Sequence, residues 1–426
     1  MFLSFSRVSN GINGFALAVV FCAAPGLVYA QPEAPFFLIS AVQAAKENNP
    51  QITAAKKRWD AAKARVPQAK SPDDPQVSAS AWMMPKSPVN VKKAPSQEKM
   101  LSVSQFIPLF GTLPLKGKIA VVEAQSAGAE YKKLELDIIN ELKKTYFDLY
   151  MNYREEELDR QSLVFLQGLA KTAEARYASS IDMPQTAILK IDVEIARLNT
   201  SILNILQERK AKEAALNNLM GRGPESPVAM PAALEENFTG NTLDSLYKST
   251  LVNQPELLLF EYAIEKNKLE KSLAKRSVFP GMTAEITKRG LGLWDIMLSF
   301  TVPLWYWTKQ RYQIKEAVAN LEQARAAYKA MSNQALAETK EMYVKTQTAY
   351  NMISLYKHNL LPLLEQSIAS SLSAFSSGKG DFMELLDSER MLIDSRMEYY
   401  RAVVEFNAAV VDLERAAGMG LGEVKI

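Results

Sequence analysis

The hexapeptide SQFIPL, residues 104–109, returns as SFTVPL at residues 299–304. Each copy closes a stretch in which apolar and small polar residues alternate: LSVSQFIPL at 101–109, and more loosely IMLSFTVPL at 296–304. Alternation with a period of two is the signature of a strand, whose successive side chains leave on opposite faces. Each copy then gives way to a long segment with helical composition. A strand-to-helix junction written twice implies a duplicated chain, and internal repeats decide an architecture before local propensities do.

Upstream of the junctions, AVQAAKENNPQI from Ala41 aligns with LYKSTLVNQPEL from Leu246, setting Asn49-Pro50 against Gln254-Pro255. Pro75 and Ala79 meet Pro280 and Ala284. Downstream, Tyr131 meets Tyr328, Glu141 meets Glu338, Tyr146 meets Tyr343, and Gly221 meets Gly418. The anchors keep their order, so the duplication covers nearly all of the chain beyond residue 30. The first repeat, 31–220, reads as helices at 38–49 and 51–70, a β-hairpin at about 75–109, a long helix at 116–178 and a return helix at 184–220. The Pro/Gly-rich stretch 221–241 reads as the linker. The second repeat, 242–420, reads as helices at 242–254 and 255–276, a β-hairpin at about 280–304, a long helix at 309–376 and a return helix at 381–418. Residues 421–426 form a tail.

A helix over 116–178 spans about 95 Å at 1.5 Å per residue. Propensity alone does not hold such a helix in water, so it needs a partner along its length. The return helices supply heptad seams: Ile191, Leu198 and Ile205 in the first, Leu386, Ile393 and Tyr400 in the second. The segment Tyr312–Tyr350 differs, being rich in Ala and polar residues, as in a single helical layer wetted on both sides.

The strands PQVSASAWM (75–83), LSVSQFIPL, GMTAEIT (281–287) and IMLSFTVPL have the length of tilted membrane-crossing strands. Trp82, Trp294, Trp305 and Trp307 lie in or beside them, as interface aromatics do. A soluble sandwich with core aromatics is the other reading. Four strands cannot close a barrel, and lipid does not tolerate open edges. If they span a membrane, several copies complete the barrel, with the loops 85–100 and 288–295 together at one end.

The composition narrows the chemistry. With 426 residues, 50 Lys+Arg against 47 Asp+Glu, and net charge +3, the chain lacks the basic excess of a nucleic-acid binder. One His and one Cys exclude the usual zinc sites, cysteine catalysis and disulfide frameworks. No cofactor, metal site or catalytic motif is expected, and the chain is not read as an enzyme. His358 falls inside a long helix, and SGKG at 377–380 lacks the spacing of a phosphate loop. Residues 1–30 read as a signal peptide, with Arg7, an apolar run from Phe15 to Phe21, and Ala30 before the cut. Phe21 before Cys22 argues against lipidation.

Taken together, the duplicated helix–hairpin–long-helix pattern, the Asn-Pro-like pair, the Pro-Leu strand exits and the turns RYASSIDMPQTAILKIDVEIARL (from Arg176) and FSSGKGDFMELLDSER (from Phe375) resemble the TolC-like outer-membrane efflux channel family. The resemblance covers about residues 38–420. It implies a mainly α chain with duplicated long helical hairpins, forming a periplasmic α-barrel. It also implies four strands per chain in a homotrimeric twelve-stranded barrel in the outer membrane of a Gram-negative bacterium. It further implies a passive duct served by a periplasmic adaptor and an inner-membrane transporter, of RND type, with outer-membrane lipid around the barrel. Met183-Pro-Gln185 looks somewhat like the heavy-metal cation branch.

Glu384 and Asp387 lie three apart at a helix start and share a face. Several copies would set them around one axis as an acidic, cation-selecting ring, a position at which the family has one. Acids favoured by the helix dipole are the plainer reading of the same residues. The first-repeat counterparts, Thr186 and Leu189, are uncharged. The turns at Ser179, Ser180 and Ile181 and at Ser377, Gly378, Lys379 and Gly380 resemble the family's tips, where an adaptor docks. A soluble periplasmic coiled-coil adaptor or scaffold is the alternative. Such adaptors carry one hairpin and a lipoyl-like module, whereas this chain carries two hairpins with paired strand insertions.

Overall fold

The computed structural model describes residues 36–83, 97–108, 111–178, 185–234, 236, 242–290 and 292–419. The leader at 1–30, the tip residues Ser179, Ser180 and Ile181, and the tail at 421–426 lie outside the described residues, as does most of the first strand–strand loop.

Each repeat opens on a helix pair broken at a proline. Helix α1 (Leu38–Asn48) meets α2 (Pro50–Lys70) at Asn49. The Asn49 side chain accepts from the backbone N–H groups of Gln51 (2.8 Å) and Ile52 (3.3 Å), and Pro50 takes the first helical position, where no N–H is needed. In the second repeat, helices lie at Leu243–Asn253 and Pro255–Arg276. These are α5 and α6 in chain order, since the first long hairpin supplies α3 (Thr112–Ala178) and α4 (Gln185–Leu219). Both corners are tied to the end of their own return helix. Asn49 Nδ2 donates to the Leu219 carbonyl at 2.8 Å, and Ser249 Oγ donates to the Ala417 carbonyl at 3.0 Å.

Four strands form one antiparallel sheet in the order β1 (Gln76–Met83), β2 (Gln97–Ile107), β3 (Gly281–Arg289), β4 (Leu293–Thr301). The second hairpin differs from the sequence reading. The expected loop 288–295 contracts to a turn at Gly290–Gly292, because β3 pairs on to Arg289 and β4 starts at Leu293. The Gly290 N–H donates to the Lys99 carbonyl at 3.0 Å and pins that turn to β2. β4 also stops at Thr301 instead of 304, since Pro303 has no N–H to give a ladder.

α3 runs 67 residues, about 100 Å, and packs on α4, α2, α6 and α9 (Phe382–Ala416). The second ascending helix is continuous from Arg311 to Ser376 but not uniform. α7 (Arg311–Leu355) passes through a π-helical turn at Tyr356–Leu360 into α8 (Leu361–Ser376). Pro362 explains the turn: its ring collides with the carbonyl of His358 and it donates no hydrogen bond, so the helix widens there. Within α7 the buried residues are Leu321, Ala335, Thr339, Thr346, Ala349 and Ile353, a sparse set that leaves most of the helix wet.

The apolar core is a series of clusters strung along the hairpins. The largest joins Ala41, Val42 and Ala45 of α1 to Ile139, Leu142, Tyr146 and Leu149 of α3, Leu216 of α4 with Met220 just after it, and Val411 of α9. Tyr146 also ties the linker, donating to the Phe36 carbonyl at 2.5 Å and accepting from Ala232 N–H at 2.9 Å.

Candidate functional site

The sheet sorts its residues by chemistry. The register sets Val77, Val103, Ile286 and Ile296 in one row across the four strands. By the same parity that face takes Ala79 and Ala81, Leu101 and Ile107, Met282 and Ala284, and Trp294, Leu298 and Phe300, with Lys99, Gln105 and Lys288 as its polar members. The opposite face takes Ser78, Ser80, Ser102, Ser104, Thr283, Glu285, Thr287, Asp295, Ser299 and Thr301, with Met100, Phe106, Leu293 and Met297 among them. Polar groups on that face find each other: Ser78 Oγ lies 2.6 Å from Ser102 Oγ, Thr287 donates to Glu285 at 3.2 Å, and Arg289 pairs with Asp295. The apolar face is bare, with Ile286, Ile296, Leu298 and Phe300 all exposed. Nine residues of β4 reach about 30 Å, or about 23 Å of vertical rise at a tilt near 40°, close to the apolar band of an outer-membrane barrel. Among the described residues no helix is long and apolar enough to cross a membrane.

The tryptophans named from the sequence divide by place. Trp294 belongs to the apolar series at the turn end, with Lys288 Nζ 5.6 Å from its ring centre. Trp305 and Trp307 are exposed beyond the other end of β4. Trp82 stands opposite Glu98 in the backbone register of β1 and β2.

Some 100 Å away along α3, four helix ends converge. Leu166, Leu169, Ala170 and Ala173 of α3 pack with Ala187 and Ile191 of α4, Phe375 of α8, and Phe382, Leu385 and Leu386 of α9. The turn between α8 and α9 is built by Ser377, Gly378, Lys379 and Gly380. Gly378 sits at φ +75°, and the N–H groups of Lys379 and Gly380 both donate to the Ala374 carbonyl, at 3.0 and 2.9 Å. A Cβ on Gly380 would lie 2.7 Å from the Phe375 nitrogen, so the close approach itself demands glycine. Asp381 caps α9, accepting from Met383 N–H at 3.2 Å.

The buried stripe Phe382, Leu385, Leu386, Ser388 and Glu389 turns Glu384 and Asp387 outward, both exposed on one face. Thr186 and Leu189 are exposed in the same way on α4. Residues that the sequence did not single out surround the pair. Arg390 bonds Glu194 of α4 at 2.6 Å and reaches within 4.0 Å of Asp387. Arg176 of α3 donates to the last carbonyls of α8, Phe375 (2.8 Å) and Ser376 (3.3 Å), over the Phe375 ring. Ser162 of α3 donates to buried Glu389 at 2.5 Å, and burial holds the Glu389 carboxyl above its usual range. These contacts clamp the two hairpins together just behind the acid pair. They join residues some 200 positions apart, so no spacing in the chain announces them. Among the described residues no group of three His, Cys, Asp or Glu side chains could hold a metal ion.

A family model for outer membrane efflux proteins matches residues 41–222 and 254–419. Among solved structures, the outer-membrane channel OprN aligns with TM-score 0.78 and 19% identity over 90% of each chain. CusC aligns with TM-score 0.78 and 16% identity over 90% of this chain and 92% of its own. The outer membrane protein VceC of Vibrio cholerae aligns with TM-score 0.76 and 19% identity over 90% and 96%. At these identities the likeness is one of fold. A search of curated proteins by sequence returns no match.

Proposed function

Since this chain belongs to the outer membrane efflux protein family, we propose that it is the duct of a tripartite efflux assembly, a homotrimer gated at the ends of its long helical hairpins. The chain is an outer-membrane efflux channel with a long periplasmic helical part. Such channels are passive and are not enzymes, and the soluble-scaffold alternative is set aside with the family match.

The observation that carries a barrel closed by several copies is the sheet, mainly apolar on one face and mainly polar on the other, with the outer edges of β1 and β4 unpaired among the described residues; the number three comes from the family. Lipid leaves no backbone donors unmet, so β4 of one copy pairs with β1 of the next. Three copies give twelve strands, with the Ser/Thr face lining the lumen. The two repeats remain the natural domain division, with the linker strapped over Tyr146.

The gate lies at the hairpin tips. Glu384 and Asp387 face outward where copies converge on an axis, and a ring of carboxylates there selects cations. The clamps at Arg176, Arg390 and Ser162 hold the second hairpin against the first, and opening has to release them. Adaptor docking falls to the tip turns at Ser179–Ile181 and Ser377–Gly380, with an RND-type inner-membrane transporter beneath. Metal cations are the substrate class suggested by Met183-Pro-Gln185.

Single-channel recording of the purified protein tests the reading. Stable cation-selective steps are expected, with selectivity and divalent block reduced in Glu384→Ala/Asp387→Ala. Unchanged conductance and block in that variant refute the ring, and absence of any channel in both proteins refutes the duct. A deletion strain with unaltered sensitivity to copper, silver, zinc, cobalt and cadmium removes the metal substrate.

A further inference from the structure

Where β4 leaves the sheet the chain reads VPLWYWTKQRYQIK, residues 302–315, with three cations and no carboxylate before Glu316. Leu304, Trp305, Trp307 and Tyr312 stand exposed, the two indoles at 71% and 69%. Arg311 lies 5.9 Å from the Trp307 ring centre and Lys315 lies 5.2 Å from that of Tyr312. Lys309, Arg311 and Lys315 are themselves exposed and make no ion pair among the described residues.

This surface continues the apolar face of the sheet, following directly on Phe300. It thus begins where the hydrocarbon ends. The headgroup layer of a bilayer is about 5–7 Å deep on each side. Arg311 stands four residues past Trp307, about 6 Å on. Lys315 stands about 12 Å on and reaches back along its own stem. An Arg fork fits two oxygens of one phosphate, a Lys adds a mobile point charge, and indole N–H groups donate at the carbonyl level. Unpaired cations beside exposed indoles complement an anionic headgroup and gain little from a zwitterionic one.

Resting on the channel reading, we propose that Trp307, Lys309, Arg311 and Lys315 form a binding surface for the phosphate headgroups of anionic phospholipid in the periplasmic leaflet of the outer membrane.

Each cation at an anionic surface contributes roughly five-fold to binding, so the three together give a preference of at least about ten-fold after losses to salt and side-chain ordering. The test uses the full chain with Trp59→Phe, Trp82→Phe and Trp294→Phe, which leaves Trp305 and Trp307 as reporters. It is reconstituted in phosphatidylcholine vesicles and titrated with acyl-brominated phosphatidylglycerol or acyl-brominated phosphatidylcholine. Brominated phosphatidylglycerol is expected to quench at about ten-fold lower mole fraction. Lys309→Gln/Arg311→Gln/Lys315→Gln, or 1 M salt, is expected to merge the two curves. Coincident curves in the parent, or a preference that survives the triple substitution, overturn the proposal. Emission insensitive to both lipids with single-channel steps retained also overturns it, since a second copy then covers this face. Loss of those steps as well strikes the channel reading itself. If the Phe background does not insert, native mass spectrometry of the unmodified chain decides. Phosphatidylglycerol co-retained there but not on the triple variant supports the surface, and equal retention refutes it.

Discussion

Gly380→Ala is expected to open the second hairpin turn, and Gly378→Ala to leave it nearly closed. The two glycines serve different needs. Gly378 has φ +75°, and among the described residues no atom lies within 4 Å of where a Cβ would stand. An alanine there suffers only the left-handed backbone, about 1 kcal/mol. A Cβ on Gly380 would lie 2.7 Å from the Phe375 nitrogen, 2.8 Å from the Ala374 carbonyl carbon and 2.9 Å from its Cβ. All three atoms belong to the last turn of α8 or sit rigidly on it. Relief requires the turn to draw back, which breaks the bonds from Lys379 and Gly380 to the Ala374 carbonyl. At about 1 kcal/mol each, with some loosening of Phe382 against Phe375, the total is about 2–3 kcal/mol. Local opening rates scale accordingly. Amide exchange in a peptide spanning residues 372–390 should quicken about five-fold in Gly378→Ala and about 30- to 160-fold in Gly380→Ala, at 1.36 kcal/mol per decade. Equal acceleration in the two variants, or the reverse order, would refute the reasoning from close approach.

Ile296→Lys should cost about 2–4 kcal/mol of membrane-inserted stability and Ser299→Lys far less, because register sets them on opposite faces of β4; urea midpoints in vesicles compare them. Lys143→Met takes the buried Glu414 carboxylate's lysine partner away and should cost about 3–5 kcal/mol by thermal unfolding, most of it recovered by adding Glu414→Leu. Glu389 binds its proton more tightly folded than unfolded, so its contribution is full below about pH 4.5 and falls as pH rises through the higher folded value. Glu389→Gln should therefore gain on the parent protein as pH climbs from 4 to 8, and a constant gap in melting temperature across that range would count against burial as the cause.

What could be read from the chain follows from period. The alternation of Val77, Ala79 and Ala81 against Ser78 and Ser80 is the parity the sheet displays, and heptads such as Ile191, Leu198 and Ile205 do lie along a hairpin seam. Events without a period were not legible. Nothing in YKHNL marks a π-helical turn; only Pro362 downstream forces it, and a simple helical pattern reads through it. The end of β4 depended on a missing N–H at Pro303, where the apolar pattern continued to Leu304. At the tip, Glu384 and Asp387 could be placed on one face by counting. Arg390, Arg176 and Glu389 could not be joined to their partners, since those contacts exist only once two hairpins lie side by side.

Among the described residues the outer edges of β1 and β4 are unpaired, and that has a consequence for supply. A single copy offers two sticky borders and no finished surface to lipid, so insertion is an event of several bodies and not of one. Its rate therefore climbs steeply with the number of copies waiting in the periplasm. Halving synthesis should lower the yield of finished pores by much more than half, with the surplus lost to proteases instead of stored. For such a chain, gene dosage acts as a threshold.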